Sequence, residues 1–164
     1  MAVAQDVFQQ YRDNAYEGQI STLDVADVIS RTIETAAVPF GRAVVNGTGK
    51  RSAKNAAGAT AAQIIGFTVR SMAVENNASD LPEYSESETA SILRRGRMYA
   101  KCVGGAAKGA SVFVVVNTAG GDEIGQLRGT ADSTNTVELK HVKWIEAAAD
   151  GQIGEIQVDG ILTS

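Results

Sequence analysis

The chain has 164 residues, 44% of them hydrophobic and 21% charged, and a formal net charge of -4 at pH 7. This length suits one domain with a buried core, and the acidic balance argues against direct binding of nucleic acid, which needs a surplus of Lys and Arg on one face. The 17 glycines against 2 prolines predict many turns and a β-rich fold.

The N-terminal residues do not form a recognisable targeting segment. Asp6 and Arg12 interrupt them, and no apolar core with a small-residue cleavage site follows, so a secretory signal is not predicted. No apolar run approaches the length of a membrane span. We therefore expect the protein to be made in the cytoplasm and to have no membrane partner.

Residues 1–22 are predicted to form an N-terminal arm, and residues 23–164 a single β domain. The arm is extended or contains one short helix, and Gly18 ends any regular structure. Its aromatic side chains precede any clear core strand, which makes them candidates for contacting a neighbouring protein. The expected partner-binding residues are Phe8, Tyr11, Arg12 and Tyr16. Packing of these side chains back onto the chain's own sheet is an equally good interpretation.

The first strands are predicted from β-branched segments. Residues 25–37 and 42–46 favour strands, and the segment between them is broken by Pro39 and Gly41. Residues 63–70 favour another strand, in which Gly66 indicates a bulge or a close backbone approach.

The intervening residues 47–60 are predicted to form an exposed loop. The run Gly47-Thr48-Gly49-Lys50-Arg51-Ser52 looks like the end of a phosphate-binding loop, but its spacing is wrong. Arg51 stands where a hydroxyl must reach magnesium. A hairpin loop is therefore the better interpretation.

Residues 71–89 are predicted to be a solvated acidic connection. They lack the alternating carboxylate order that wraps a calcium ion.

The segment 94–121 is predicted to contain two strands joined as a hairpin by Gly104, Gly105 and Gly109. In the first strand, Met98, Ala100 and Cys102 alternate with polar or amphipathic residues and face the core. The second strand, residues 110–117, is apolar on both faces, which is typical of burial on two sides.

The C-terminal part is predicted to contain a polar excursion and two more strands. The excursion covers residues 122–136 and includes a short strand at 124–127. Residues 137–147 alternate along a strand that places Leu139 and His141 on one face. The last strand follows Asp150-Gly151, with Gly154, Ile156 and Val158 on one face. The expected fold is all-β: an antiparallel, jelly-roll-like sandwich or barrel with long surface loops.

The residues offer no catalytic or metal-binding constellation. The chain has one histidine, His141, and one cysteine, Cys102, which are too few soft ligands for a structural zinc site and exclude an internal disulfide. No nucleophile elbow occurs, and Cys102 is expected to be inert packing. We therefore predict no enzyme, no cofactor and no metal.

Several stretches, in this order and spacing, carry a family resemblance: Ser30–Thr32, Val38–Val44, Gly66–Arg70, Tyr84, Ser91–Tyr99, Gly105–Val114, Trp144 and Ala147–Val158. Together they resemble the cement, or decoration, proteins of tailed bacteriophage capsids. The resemblance spans about residues 19–158. Ser87 departs from it, because a glycine is expected after the turn at Tyr84, and the excursion 122–136 is longer than usual.

The resemblance implies a jelly-roll-like β domain that self-associates, as a dimer or trimer, on the outside of the capsid. There it would lie across junctions between subunits of the major capsid protein. Our own hypothesis is that the arm, through Phe8, Tyr11 and Tyr16, reaches capsid or a sister subunit. No nucleic acid is expected as a direct partner.

The alternative is a receptor- or carbohydrate-binding β module on a virion surface. In that interpretation, loops 47–60 and 122–136 form the binding rim.

Overall fold

The computed structural model describes residues 15–22, 25–72, 83–118 and 121–160. Over these ranges the secondary structure is β-strand with one short 3-10 helix, Ala61–Gln63, so the all-β prediction is confirmed. No helix among the described residues has the length and hydropathy to cross a membrane. The strands are β1 (Asp27–Ile33), β2 (Val38–Pro39), β3 (Ala43–Asn46), β4 (Ser52–Asn55), β5 (Ile64–Thr68), β6 (Glu83–Tyr84), β7 (Thr89–Val103), β8 (Ser111–Val115), β9 (Leu127–Arg128), β10 (Thr136–Trp144) and β11 (Ile153–Val158).

Nine of these strands form one sheet that closes on itself twice around β7. The first ring consists of β1, β4, β3, β5 and the N-terminal part of β7. The second ring consists of the C-terminal part of β7, followed by β11, β10, β8 and β9. β2 and β6 pair separately. The predicted barrel architecture is confirmed, whereas its jelly-roll character stays a prediction.

Each ring contains one parallel pair of strands, β1 with β4 and β7 with β9. An odd number of strands cannot alternate in direction all the way around a closed ring, so a five-stranded ring needs a parallel pair. The remaining pairings are antiparallel, as the sequence predicts.

The change of ring occurs between two adjacent residues of β7. Arg95 pairs with Asp27 of β1 in the first ring, and Gly96 pairs with Val158 of β11 in the second. Gly96 has a φ of 129°, a conformation that side-chain-bearing residues rarely adopt. One strand of 15 residues therefore serves both rings by bending at a glycine.

The buried apolar side chains of the described residues form two clusters. In the smaller one, the rings of Phe40 and Tyr84 meet edge to face with centroids 5.0 Å apart. The other buried members of this cluster are Ile33, Val38, Val44, Ala53, Ile65, Ala90 and Ile92, contributed largely by strands of the first ring. The larger cluster includes Phe67 and Leu93 together with residues of the second ring, among them Met98, Ala100, Cys102, Val112, Val114, Leu127, Trp144, Ile156 and Val158.

The hairpin predicted within residues 94–121 is wrong. β8 pairs with β10 and β9, not with β7. The glycine-rich segment after β7 instead crosses to the far end of β10, where Ala106 bridges Ala148 and the Gly109 N–H donates to the Trp144 carbonyl at 2.7 Å. The three glycines do adopt positive φ, but they carry the chain to another strand.

The predicted loop 47–60 contains β4, in which Ser52 and Ala53 are buried. Small side chains made this strand look like a loop, because they carry little hydrophobic signal. In β10, a register shift between Leu139 and Lys143 places Leu139 and Val142 both inside, so the regular alternation predicted there is also wrong.

Candidate functional site

Residues 15–22, which we call the anchor segment, are hydrogen-bonded to β7. Gly18 donates its N–H to the Tyr99 carbonyl at 2.8 Å, and Tyr99 donates back to the Gln19 carbonyl at 2.8 Å. The Arg70 N–H donates to the Gly18 carbonyl at 2.7 Å. The anchor segment thus fixes the point at which residues 1–14 join the rings. The division into an arm (1–22) and a domain (23–164) stays a prediction.

The anchor segment lies so close to the domain that side chains would not fit at two positions. A Cβ on Gly18 would lie 2.8 Å from the Phe40 Cβ, and a Cβ on Gly41 would lie 2.6 Å from the Glu17 Cγ. Both glycines also have positive φ, 80° and 74°. Backbone shape, and not side-chain packing alone, therefore allows the segment to dock.

An ion cluster centred on the buried Arg42 lies beneath the anchor segment. Arg42 is only 6% exposed, and its Nη2 donates to Glu123 Oε2 at 2.9 Å. Its Nη1 lies 3.6 Å from Glu17 Oε1. Burial raises the pKa of the Glu17 carboxyl, although the nearby Arg42 charge opposes that shift. This ion pair joins the anchor segment to the body of the protein.

Sequence reasoning did not find this cluster. Glu17 and Arg42 are far apart in the sequence; Arg42 lies in the resembling stretch Val38–Val44, but nothing in that stretch links it to Glu17. Only the packing of the anchor segment against the turn before β3 brings the two charges together.

Tyr16 is the one predicted partner-binding residue within the described ranges; Phe8, Tyr11 and Arg12 lie outside them. The Tyr16 side chain is 41% exposed, and the Arg70 guanidinium lies 4.5 Å from its ring centroid. The same guanidinium lies 5.5 Å from the Phe40 ring centroid. Tyr16 is therefore held at the surface by a cation–π contact, and its role in partner binding stays a prediction.

A groove lined in part by apolar side chains lies next to Tyr16. Ile20, Val69 and Met72 line it together with Tyr16; Met72 is 94% exposed, whereas Val69 is buried. We call this surface the Tyr16 groove. Exposed apolar side chains next to one another are typical of protein contact surfaces.

Backbone amides of the loop after β3 bind a carboxylate side chain of the same protein, that of Glu34. The carboxylate of Glu34 accepts the N–H of Thr48 at 2.8 Å and the N–H of Gly49 at 2.8 Å. A hydrogen bond from Ser52 and these backbone donors lower the Glu34 pKa to about 2. The amides that resembled a phosphate site are therefore engaged by Glu34, which agrees with the failed spacing of the motif.

The groups considered for chemistry lie apart from one another. His141 is exposed on β10, and Cys102 is buried in β7. Burial raises the pKa of the Cys102 thiol, so the reactive thiolate is disfavoured. Within the described part of the chain, no group of His, Cys, Asp and Glu side chains could hold a metal ion.

Comparison with known proteins identifies the family. A family model described as "Structural cement protein (E217 gp24/Pam3 gp6)" matches residues 4–159. The chain belongs to this family of phage structural proteins. The predicted family is therefore confirmed, and the cement protein is a structural component of the phage particle. No curated protein matches the chain significantly.

Comparison with solved structures gives one match that shares the fold of this chain. A chain in the capsid of Myoviridae phage XM1 superposes with a TM-score of 0.73 at 16% identity, covering 99% of this chain and 100% of that one. The N base of head fiber gp8.5 of bacteriophage phi29 superposes with a TM-score of 0.43 at 13% identity, covering 82% of this chain and 95% of that one. The first match supports the all-β fold.

Proposed function

We propose that the protein binds the outside of a phage capsid and stabilises junctions between subunits of the major capsid protein. The observation that carries this proposal is the match of the cement protein family to residues 4–159. A protein that binds only the assembled junction stabilises the shell by mass action. Many copies on one shell make individually weak contacts effective. The protein acts in the virion after synthesis in the host cytoplasm.

The strand pairing of the double-ring body suits such a role, because closed rings resist deformation. Ring closure joins most strand edges to a neighbour, and β7 connects the two rings covalently. A protein that holds two capsid subunits together needs this stiffness, since a flexible body would deform before it transmitted load across the junction. We propose that the protein works through this shape without catalysing a reaction, and without direct contact to nucleic acid or membrane.

The contact surface that we propose combines the N-terminal residues with the Tyr16 groove. Phe8, Tyr11 and Arg12 precede the anchor segment in sequence, and Tyr16 lies within it at the surface. Aromatic and arginine side chains dominate the energy of many protein interfaces. The partner is the major capsid protein or another copy of the cement protein, which we propose forms a homo-oligomer.

Deletion of residues 2–14 tests the role of the arm. The deletion stops before the anchor segment, because residues 18 and 19 hydrogen-bond to β7 and their loss would affect the fold. We expect the truncated protein to unfold at the same temperature as the full-length protein but to occupy capsids much less. Capsids that lack the protein are incubated with each form, and the bound copies are quantified after sedimentation.

Two substitutions refine that experiment. Tyr16→Ala should lower occupancy, whereas Phe113→Ala, on a partly exposed position of β8, is the control and should not. Unchanged occupancy after the deletion would remove residues 2–14 from the proposed contact surface. Binding of glycans by the isolated protein, with no capsid binding, would favour the receptor-binding alternative.

A further inference from the structure

One edge of β1 is open. β1 pairs with β7 from Asp27 to Thr32, but it pairs with β4 only at Thr32 and Ile33. Within the described ranges, no strand pairs with residues 27–31 on the side away from β7. Among the described residues, nothing therefore pairs with the open side of this part of β1.

The backbone groups at this edge point outward. The Ile33 N–H donates towards the β7 side, to the Glu88 carbonyl at 2.8 Å, whereas the Thr32 N–H donates towards β4, to the Arg51 carbonyl at 2.9 Å. Because these directions alternate along a strand, Val28 and Ser30 direct their backbone groups to the open side. The Ser30 carbonyl accepts an exposed hydrogen bond from the Nη1 of Arg31 at 3.0 Å.

The outer face of β1 is exposed as well. Val28 is 40% exposed, Val25 just before the strand is 87% exposed, and Ser30 is also exposed. An edge of this kind is a ready template for another strand. Arg31 shields one carbonyl, but a surface hydrogen bond between neighbouring residues exchanges readily.

The charges on β1 are complementary to those of a second copy running in the opposite direction, and the half-exposed Asp27 also lies 3.8 Å from the Arg94 Nε of its own chain. When two β1 strands pair antiparallel about Ile29, Asp27 lies opposite Arg31 of the partner subunit, and this pair occurs twice. Val28 then lies opposite Ser30 of the partner subunit, so the outward backbone groups meet. Shifting the two-fold centre to residue 28 or 30 removes both opposite-charge pairs.

We infer that two copies of the protein associate through the open edges of β1, antiparallel and centred on Ile29. Arg31 moves from its own neighbour's carbonyl to the partner's Asp27, and the Ser30 carbonyl accepts from the partner's Val28. This inference rests on the self-association in the proposed function and specifies its surface. The first rings of the two copies are then joined edge to edge through the paired β1 strands.

A charge exchange tests the inference by sedimentation of the full chain across a concentration series. Asp27→Arg and Arg31→Asp each place like charges opposite each other twice, so each should raise the dimer dissociation constant roughly tenfold or more. The double variant Asp27→Arg/Arg31→Asp restores opposite charges between the two copies and should bring the dissociation constant back towards the wild-type value, while the contact of residue 27 with Arg94 stays lost. Glu138→Arg and Lys140→Asp, on exposed positions of β10, are the matched controls and should change nothing.

Ser30→Pro tests the open edge itself. It removes an N–H that points to the open side, and proline is tolerated at such positions of edge strands. We expect a cooperatively folded monomer. An unfolded variant would show that the Ser30 N–H is paired within the chain and would overturn the inference, as would a monomeric wild-type protein or dimerisation that is insensitive to both charge reversals.

Capsid occupancy of the same variants separates this inference from the proposed function. A dimer that responds to the charge exchange but does not bind capsids leaves the inference standing and contradicts the proposed function. The opposite outcome is a wild-type protein that is monomeric but binds capsids, with capsid binding lost in Asp27→Arg. That result would mean that the β1 edge pairs with a strand of the capsid protein, and it would overturn self-pairing.

Discussion

A Cβ added to Gly66 would lie 2.3 Å from the carbonyl oxygen of Leu93. β5 and β7 are therefore closer at this point than any side chain on residue 66 permits. The register between β3 and β5 also shifts here, between Val44 and Val45, which marks a bulge. The approach closes the first ring onto the strand that both rings share.

Gly66→Ala should destabilise the protein by about 3–5 kcal/mol, because the contact is to backbone and the new methyl group cannot be relieved by a rotamer change. Gly58→Ala is the control. Gly58 has a φ of 63°, but nothing lies within 4 Å of its added Cβ, so only a backbone cost of about 1–2 kcal/mol is expected. Urea unfolding measures both; equal costs would show that the approach is not constrained.

Ser87→Gly should stabilise the protein. Ser87 adopts a φ of 69°, in the left-handed region that glycine favours. Relief of about 1–2 kcal/mol of backbone strain exceeds the added flexibility of glycine, so a gain of up to about 1 kcal/mol is expected. Ser85→Gly, at a described position without positive φ, should lower stability. A lower melting temperature for Ser87→Gly would contradict the strain.

Glu34→Gln should loosen the loop after β3. The folded-state pKa of Glu34, about 2, lies below its ordinary value of 4.5, so its stabilising effect is complete above pH 4.5 and is lost as the pH falls towards 2. Hydrogen exchange at the Thr48 and Gly49 amides should therefore accelerate at neutral pH in the variant. In the wild type, the protection factors of both amides, corrected for the intrinsic exchange rate at each pH, should fall as the pH drops towards 2, and the variant should lack that fall.

Glu138→Gln, on an exposed position of β10, is the control for this experiment. It should leave the exchange of both amides unchanged. If Glu34→Gln also leaves them unchanged, the carboxylate does not organise the loop.

Arg42→Met should destabilise the protein by about 3 kcal/mol, because it removes a buried cation and leaves the Glu17 carboxyl buried alone. Glu17→Gln should cost about 1 kcal/mol or less, since burial already disfavours the charged carboxylate. The double variant should lose less than the sum of the two costs. Additive losses in urea unfolding would mean that the two groups do not interact.

The same cluster gives a pH dependence with a defined sign. Burial raises the folded-state pKa of Glu17 above 4.5, so the folded protein holds this proton more tightly than the unfolded chain. Its contribution to stability therefore declines as the pH rises from 4.5 through the raised pKa, and the Glu17→Gln variant should lack that decline. A decline of equal size in the variant would assign it to other groups.

The strands with strong alternation were predictable from the sequence. Met98, Ala100 and Cys102 are buried as their period of two indicates, and so are Gly154, Ile156 and Val158. Gly66 was recognised as a close approach because glycine inside a β-branched strand has few other uses. The local pattern is sufficient to predict such strands and their buried faces, since the alternation lies entirely within neighbouring residues.

What the sequence could not supply is how distant strands meet. The small residues Ser52 and Ala53 gave no strand signal, yet they pair with β1 and β3. The sharing of β7 by two rings depends on contacts far apart in sequence, and so does the approach of Glu17 to Arg42. Pairing partners are chosen by the whole fold, so a local pattern does not contain them.

Imaging of capsids by cryo-electron microscopy tests the central claim most directly. Capsids that lack the protein are compared with the same capsids after incubation with the purified full-length chain. We predict added density with the shape of the double ring on the outer surface, across junctions between major capsid protein subunits. Density on the inner surface, or capsids unchanged at saturating protein, would contradict the account.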